Sequence, residues 1–260
     1  MTDRLIVCMK YGRAYPADYV NVLYNASRKA LTRPARFVCL TDDATGLLPG
    51  IETFPIPETG LAPEEWFRPG VWPKVSLFDR QFHGLRGRAL FIDLDMVIVR
   101  DLDAFFDLPG TVIGTNASPS WGKPGQAAEA PEFGSMIFAW NPGQHPEVAE
   151  DFRADKQAVW ARFRQEQQYL HSRFPDAGFW PQGWVASFKR SLRRPIGLDL
   201  VLDPKAPSGE TRVLAFHGRP RPIDLIRGKP YFWDRFPHMG HGRVRWMAEY
   251  WTSNGGTIPA

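Results

Sequence analysis

Short apolar runs closed by polar or turn-forming residues recur along the first half of the chain. "RLIVCMKYG" reads as a strand ending in a turn, and "ADYVNVLYNASRKAL" has the apolar spacing of a helix. "ARFVCLTDD" is a second strand, "GIETFPIP" a third, and "VWPKVSLFDRQF" a helix that feeds a further strand over Ala89 to Leu94. "GTVIGTN" and "GSMIFAWN" read as two more strands. The segment "EVAEDFRADKQAVWARFRQEQQYLHSRF" places Phe152, Val159, Phe163 and Leu170 at helical spacing, as one or two amphipathic helices covering the sheet. Beyond it, Pro195, Pro204, Pro207, Pro220, Pro222, Pro230 and Pro237 cut the chain into short pieces. Strands alternating with helices predict an α/β domain with a mostly parallel sheet, whose ligands sit at the carboxyl ends of the strands. No repeat or linker divides the chain, so one domain over 1–260 is expected, with an irregular carboxyl-terminal region.

One run breaks the pattern. "RALFIDLDMVIVRDLDAFF" is apolar enough for a strand buried on both faces, yet it holds Asp93 and Asp95. An unpaired buried carboxylate costs several kcal/mol or takes up a proton. Residues i and i+2 of a strand share a face, and a tight turn would also bring them close. A hard divalent cation such as Mg²⁺ or Mn²⁺ would relieve the repulsion while keeping positions open for phosphates. The plainer alternative is one aspartate capping a turn while the other pairs with Arg88 or Arg100.

Composition narrows the class. A chain of 260 residues, 43% apolar and 23% charged, is an ordinary globular one, which excludes a disordered tail or fibre. It has no apolar run of spanning length and no basic start with a cleavage site, so a cytoplasmic location is expected. Cys8 and Cys39 sit in strand-like runs as reduced core residues. The formal charge of +4 matches the surplus between Arg219 and Trp251, where Arg219, Arg221, Arg227, Lys229, Arg235, Arg243 and Arg245 oppose Asp224, Asp234 and Glu249. Mixed with aromatics, this stretch could cradle phosphates, lie against anionic lipid as a peripheral contact, or form a solvated basic surface. A nucleic-acid partner is not expected.

The surroundings of the carboxylate pair carry a resemblance. "LFIDLDMVIVRDLDAFFD", preceded by "VWPKVSLFD" and followed by "EFGSMIFAWN", "EQQYL" and "LAFHGRPRP", is similar to nucleotide-sugar-dependent glycosyltransferases of the GT-A fold. It looks closest to the glycogenin-like and LPS galactosyltransferase-like group (family 8-like) and to related bacterial and phage glycosyltransferases. The resemblance implies a GT-A, Rossmann-like mixed sheet, with the nucleotide-binding part over about residues 1–110 and the acceptor part with the basic tail over about 111–260. It further implies a sugar-nucleotide donor, UDP-linked in the resembled families, an unknown glycan, lipid-linked or protein acceptor, and Mn²⁺ or Mg²⁺ as cofactor.

Carried over by position, Asp93 would contact the ribose and the metal, Asp95 would be a metal ligand, and His217 of "FHG" the third. Lys10, Tyr11 and Asp42 would form the base and ribose pocket. Lys74, Arg219 and Arg221 would neutralise the diphosphate, Lys74 having a solvent-facing helix position as its alternative. Ser135 would line the sugar pocket, with Glu166 and Gln167 near the reacting carbon. Asp176 and Glu166 are candidates for a base. The chain departs from the group at Phe133-Gly134, where Asn-Ser is common, at Glu166, where aspartate is usual, and at Ile223, where a lysine is expected. Two alternatives remain: a haloacid-dehalogenase-like phosphatase using Asp93 as nucleophile, for which "DLDMV" fits, and a non-catalytic module binding sugar nucleotides or anions.

Overall fold

The structure is a computed structural model that describes residues 3–121, 130–228 and 231–258. Lys229 and Pro230 of the basic tail lie outside the described residues. The elements in chain order are β1 (Arg4–Lys10), α1 (Ala17–Lys29), β2 (Arg36–Thr41), β3 (Glu52–Phe54), β4 (Arg88–Ile92), β5 (Met96–Ile98), α2 (Asp103–Asp107), β6 (Ile113–Asn116) and β7 (Phe133–Trp140). They continue as α3 (Glu147–Ala154), α4 (Lys156–Arg162), α5 (Glu166–Arg173), β8 (Gly178–Phe179), β9 (Val185–Ser187), β10 (Val213–Ala215), α6 (Pro222–Ile226) and α7 (Arg245–Ser253).

Seven strands form one mixed sheet in the order β3-β2-β1-β4-β7-β6-β8. β1 is parallel to both β2 and β4, while β7 runs antiparallel to β4 and β6. Period-two alternation sorts the side chains of β1 between two cores: Ile6 and Cys8 pack on one face of the sheet, Leu5, Val7 and Met9 on the other. Cys8 and Cys39 are register partners, buried and free. Because β1 has β2 on one side and β4 on the other, the crevice at their carboxyl ends is a topological switch point, the usual place for a ligand in an open α/β sheet.

A second, three-stranded sheet, β5-β10-β9, leaves the first at the Asp93–Asp95 tripeptide. Carboxyl-terminal apolar side chains partly close the core beneath it: Trp233, Met247 and Trp251 are buried, with the Trp251 ring centroid 5.0 Å from that of Tyr19 on α1. Tyr231, Phe232 and Phe236 stay exposed. Among the described residues no helix is long and apolar enough to cross a membrane.

Two expectations need correction. The helix expected over 71–82 is a 3-10 turn, Trp72–Phe78, whose seven residues are all buried. Pro73 removes an amide donor from its start, and with no solvent-facing side there is no amphipathic face to define an α-helix. The amphipathic stretch after residue 147 is three short helices, broken at Asp155, whose side chain caps α4 by accepting from the Ala158 amide at 2.9 Å.

Candidate functional site

Asp93, Leu94 and Asp95 are not strand residues: the strand stops at Ile92 and resumes at Met96. The Met96 amide donates to the Asp93 carbonyl at 3.2 Å, which closes a tight turn. Each aspartate is tied to a different sheet. The Asp93 amide donates to Met136 O on β7 at 2.9 Å, and the Phe216 amide, just past β10, donates to Asp95 O at 3.3 Å. Leu94 points into the core, 5% exposed, so both carboxylates are left beside a cavity of about 540 Å³.

Lys74, buried in the 3-10 turn, reaches across to donate to Asp93 Oδ2 at 2.7 Å and to Ser135 O at 3.3 Å. Burial alone would strip its proton, but Asp93, Glu166 and Asp95 together outweigh that and hold the ammonium above its ordinary range. Asp95 takes a hydrogen bond from the Tyr15 hydroxyl at 3.0 Å, and Tyr15 in turn carries the Arg221 guanidinium 4.4 Å from its ring centroid. Arg221 is fixed by a 2.8 Å bond to Ala14 O. Glu166 opens α5 opposite the turn, its amide donating to Gly70 O at 2.9 Å. Gly70 sits at φ +116°, where an added Cβ would lie 2.9 Å from Arg164 O, so this approach requires glycine.

Three carboxylates thus face two cations, and their proton affinities record the shortfall. Burial first, then the neighbouring Asp93 charge, push Asp95 up to about 7, against the pull of Tyr15, Lys74 and Arg221. Burial pushes Glu166 up to about 7 as well, although Lys74 and Ser135 draw it down. Asp93 is also raised by burial despite Lys74. Glu166 Oε1 is buried with no hydrogen-bond partner among the described residues. Among the described residues, Lys74 is the sole donor to the Asp93 carboxylate and Tyr15 the sole donor to that of Asp95, each to Oδ2 alone.

His217 lines the same cavity. Burial and the cations of Lys189, Arg190 and Arg193 push its imidazole down to about 4, so it is neutral near pH 7. Nε2 lies 2.8 Å from Ser187 Oγ. Among the described residues, however, no three His, Cys, Asp or Glu side chains gather closely enough to hold a metal ion, so His217 does not complete a three-ligand set with the aspartates. The donor chemistry fits a hard divalent cation nonetheless, because such ions are commonly held by one or two carboxylates, with phosphate and water oxygens filling the remaining positions.

The cavity also collects Tyr11, Lys74, Ser135, Gln167 and Arg221, as the sequence leads one to expect. Other predicted residues lie elsewhere. Lys10 is turned to Asp43 O at 3.0 Å, and Asp42 accepts from the Gly12 amide at 2.9 Å, supporting the loop behind Tyr11. Asp176 is exposed and outside the wall of this cavity. Arg219 faces a separate cavity. Residues the sequence did not single out are Tyr15 and the segment Trp66–Val71, which forms one wall. Tyr11 meets the Trp66 ring edge-on at 6.0 Å and the Phe67 ring at 6.1 Å. The Gly70 in that segment was the available signal.

No protein-family model matches the chain, and no curated protein matches it. Solved structures do. The chain is similar to the galactosyltransferase LgtC in complex with donor and acceptor sugar analogs, with a TM-score of 0.59 and 13% identity over 98% of this chain and 97% of that one. It is similar to the glycosyltransferase GlyE of Streptococcus pneumoniae TIGR4 (TM-score 0.57, 14% identity, 97% of this chain and 62% of that one). It is also similar to the bifunctional glycosyltransferase WbbM (TM-score 0.58, 14% identity, 99% and 50%). A seven-stranded mixed sheet flanked by helices, matched from end to end, makes this chain's architecture the GT-A, Rossmann-like fold of those glycosyltransferases.

Proposed function

We infer that the protein is a metal-dependent glycosyltransferase that takes a sugar from a nucleoside-diphosphate donor, a UDP-sugar in the simplest case, to an acceptor hydroxyl. The observation that carries this reading is the Asp93-Leu94-Asp95 turn at the switch point of the sheet, opening on a cavity large enough for a sugar nucleotide and short of positive charge. The end-to-end likeness to LgtC supports it. The phosphatase alternative has no comparable support, since the fold is a glycosyltransferase one.

In the reaction, the bond from the anomeric carbon to the diphosphate oxygen breaks, a bond to the acceptor oxygen forms, and the hydroxyl proton leaves to the diphosphate or a base. Asp93 and Asp95 would hold the Mn²⁺ or Mg²⁺, and His217, in the wall of the same cavity, would join them only if the site tightens when the donor binds. A divalent cation there supplies Lewis-acid stabilisation of the charge that grows on the departing diphosphate. Lys74 and Arg221 add fixed positive charge on the same side. Tyr11, backed by Trp66 and Phe67, offers an aromatic face to the base. Glu166 and Gln167 approach from the opposite wall, where the unpartnered Glu166 Oε1 would be satisfied by a sugar hydroxyl.

Calorimetric titration of UDP with and without Mn²⁺, on the wild type and on Asp95→Ala, tests the reading. Binding should require the metal and weaken about 100-fold or more in the variant. UDP binding indifferent to Mn²⁺ and to Asp95 would remove the metal from the scheme, and no binding at all would end the donor assignment.

A further inference from the structure

A second cavity, of about 470 Å³, adjoins the first and is built from different chemistry. Lys189, Arg193, Arg219 and Arg235 line it, and Asp234 is the one carboxylate in its wall. Asp234 is already consumed: its buried side chain is paired with Arg193. The remaining cations are under-used. The Arg235 side chain has no hydrogen-bond or ion-pair partner among the described residues, its backbone amide alone bonding to Asp234. Arg219 is 59% exposed and meets Asp224 only at 4.0 Å. Lys189 gives one N–H to His217 O at 2.6 Å, and burial with the Arg193 charge draws its ammonium below the ordinary range. His238, on the same wall, is held by Asp199 at 2.9 Å. Phe236 stands at the rim, 85% exposed.

The two cavities share the backbone of His217–Arg221 as a partition: His217, Gly218 and Arg221 face the carboxylate side, Arg219 the basic side. With Arg193 paired to Asp234, two arginine forks and an ammonium around one space suit an oxyanion that accepts several hydrogen bonds, above all a phosphate ester. The volume exceeds what a phosphate alone fills, and an exposed ring at the mouth is suited to the apolar face of a pyranose.

We propose that this basic cavity is the acceptor subsite for a phosphorylated sugar, its phosphate held by Lys189, Arg219 and Arg235 while its hydroxyl reaches across the partition toward the donor. The assignment of the ligand as acceptor rests on the glycosyl-transfer reading; the binding of a sugar phosphate does not.

The test is calorimetric titration of glucose 6-phosphate, glucose and inorganic phosphate into the protein saturated with UDP and Mn²⁺, repeated on Arg235→Ala and on Arg219→Ala. Glucose 6-phosphate should bind in the millimolar range or tighter, glucose should not, inorganic phosphate should bind more weakly, and each variant should lose about tenfold in sugar-phosphate affinity. UDP affinity should stay within about twofold in both variants, since neither side chain lines the donor cavity. Equal sugar-phosphate binding in wild type and variants, displacement of glucose 6-phosphate by UDP, or no binding to the wild type would each overturn the proposal, and inorganic phosphate binding as tightly as the ester would overturn the sugar part of it. If UDP fails to bind while glucose 6-phosphate binds through Arg219 and Arg235, the donor reading falls and the anion cavity stands.

Discussion

The chain contains the tripeptide Asp-Leu-Asp twice, at Asp93–Asp95 and at Asp101–Asp103, and the two copies have opposite fates. At the second copy both oxygens of Asp103 are filled: Oδ1 by Arg4 at 2.5 Å and Arg33 at 3.2 Å, Oδ2 by the Thr32 amide and hydroxyl, each at 2.7 Å. Burial opposes ionisation there, but these bonds outweigh it and hold the carboxyl far below the usual carboxylate range. Asp101 pairs with Arg212 at 2.5 Å and accepts the Asp103 amide at 3.0 Å. The first copy has, among the described residues, one donor per carboxylate, and the proton affinity of Asp95 is raised toward neutrality. A carboxylate whose bonds are complete holds the fold together, whereas one left half-bonded beside a cavity has an oxygen free for a ligand.

Exchanging charge for amide at each copy should separate the roles most sharply. Asp103→Asn should cost about 2 kcal/mol of folding stability in urea denaturation, because it removes the charge-assisted bonds from Arg4, Arg33 and Thr32 and leaves the two guanidiniums to Asp107 alone, while UDP affinity holds. Asp95→Asn should leave stability within about 1 kcal/mol, or raise it, while metal-dependent UDP binding is lost. Equal destabilisation by the two substitutions would erase the distinction.

A smaller effect appears in the pH dependence of the metal-free protein. Asp95 and Glu166 bind protons more tightly folded than unfolded, so their contribution is present below the ordinary carboxylate pKa of about 4 and is lost as pH rises toward about 7. Asp103 has the reverse sign: its contribution is present above about pH 4 and is lost as pH falls below it. The melting temperature should therefore decline between about pH 5 and 7.5, and Asp95→Asn should flatten that decline. An unchanged slope in the variant would show that Asp95 ionises normally. The least effect belongs to Tyr15→Phe, which removes the hydroxyl that donates to Asp95 and should weaken metal-dependent UDP binding about fivefold by calorimetry.

Nothing in the sequence distinguishes the two tripeptides by themselves, because what separates them arrives from far along the chain: Arg4 and Thr32 for Asp103, Tyr15 and Lys74 for the first pair. The strands were legible wherever an apolar run was buried on both faces, as in Leu5–Met9 and Ala89–Ile92. The short strands β8, β9 and β10 were not, since two or three residues carry no period. Lys74 was legible as a site residue only through the family resemblance; its local sequence suits a surface helix equally, and burial against Phe91 is a tertiary fact. Arg219 shows the limit of position-by-position transfer: it stands at a plausible point in the chain, yet it lines the basic cavity rather than the one beside the carboxylates.

The turn that carries Asp93 and Asp95 is also the seam between the two sheets, one residue bonded to β7 and the other to the end of β10. The spacing of the carboxylates is therefore an alignment set by how the two sheets pack in the common core that holds Ile137 of one and Leu214 of the other. On the proposed function, metal preference would then be retuned from a distance, by a methyl group gained or lost in that packing, with every ligand residue unchanged.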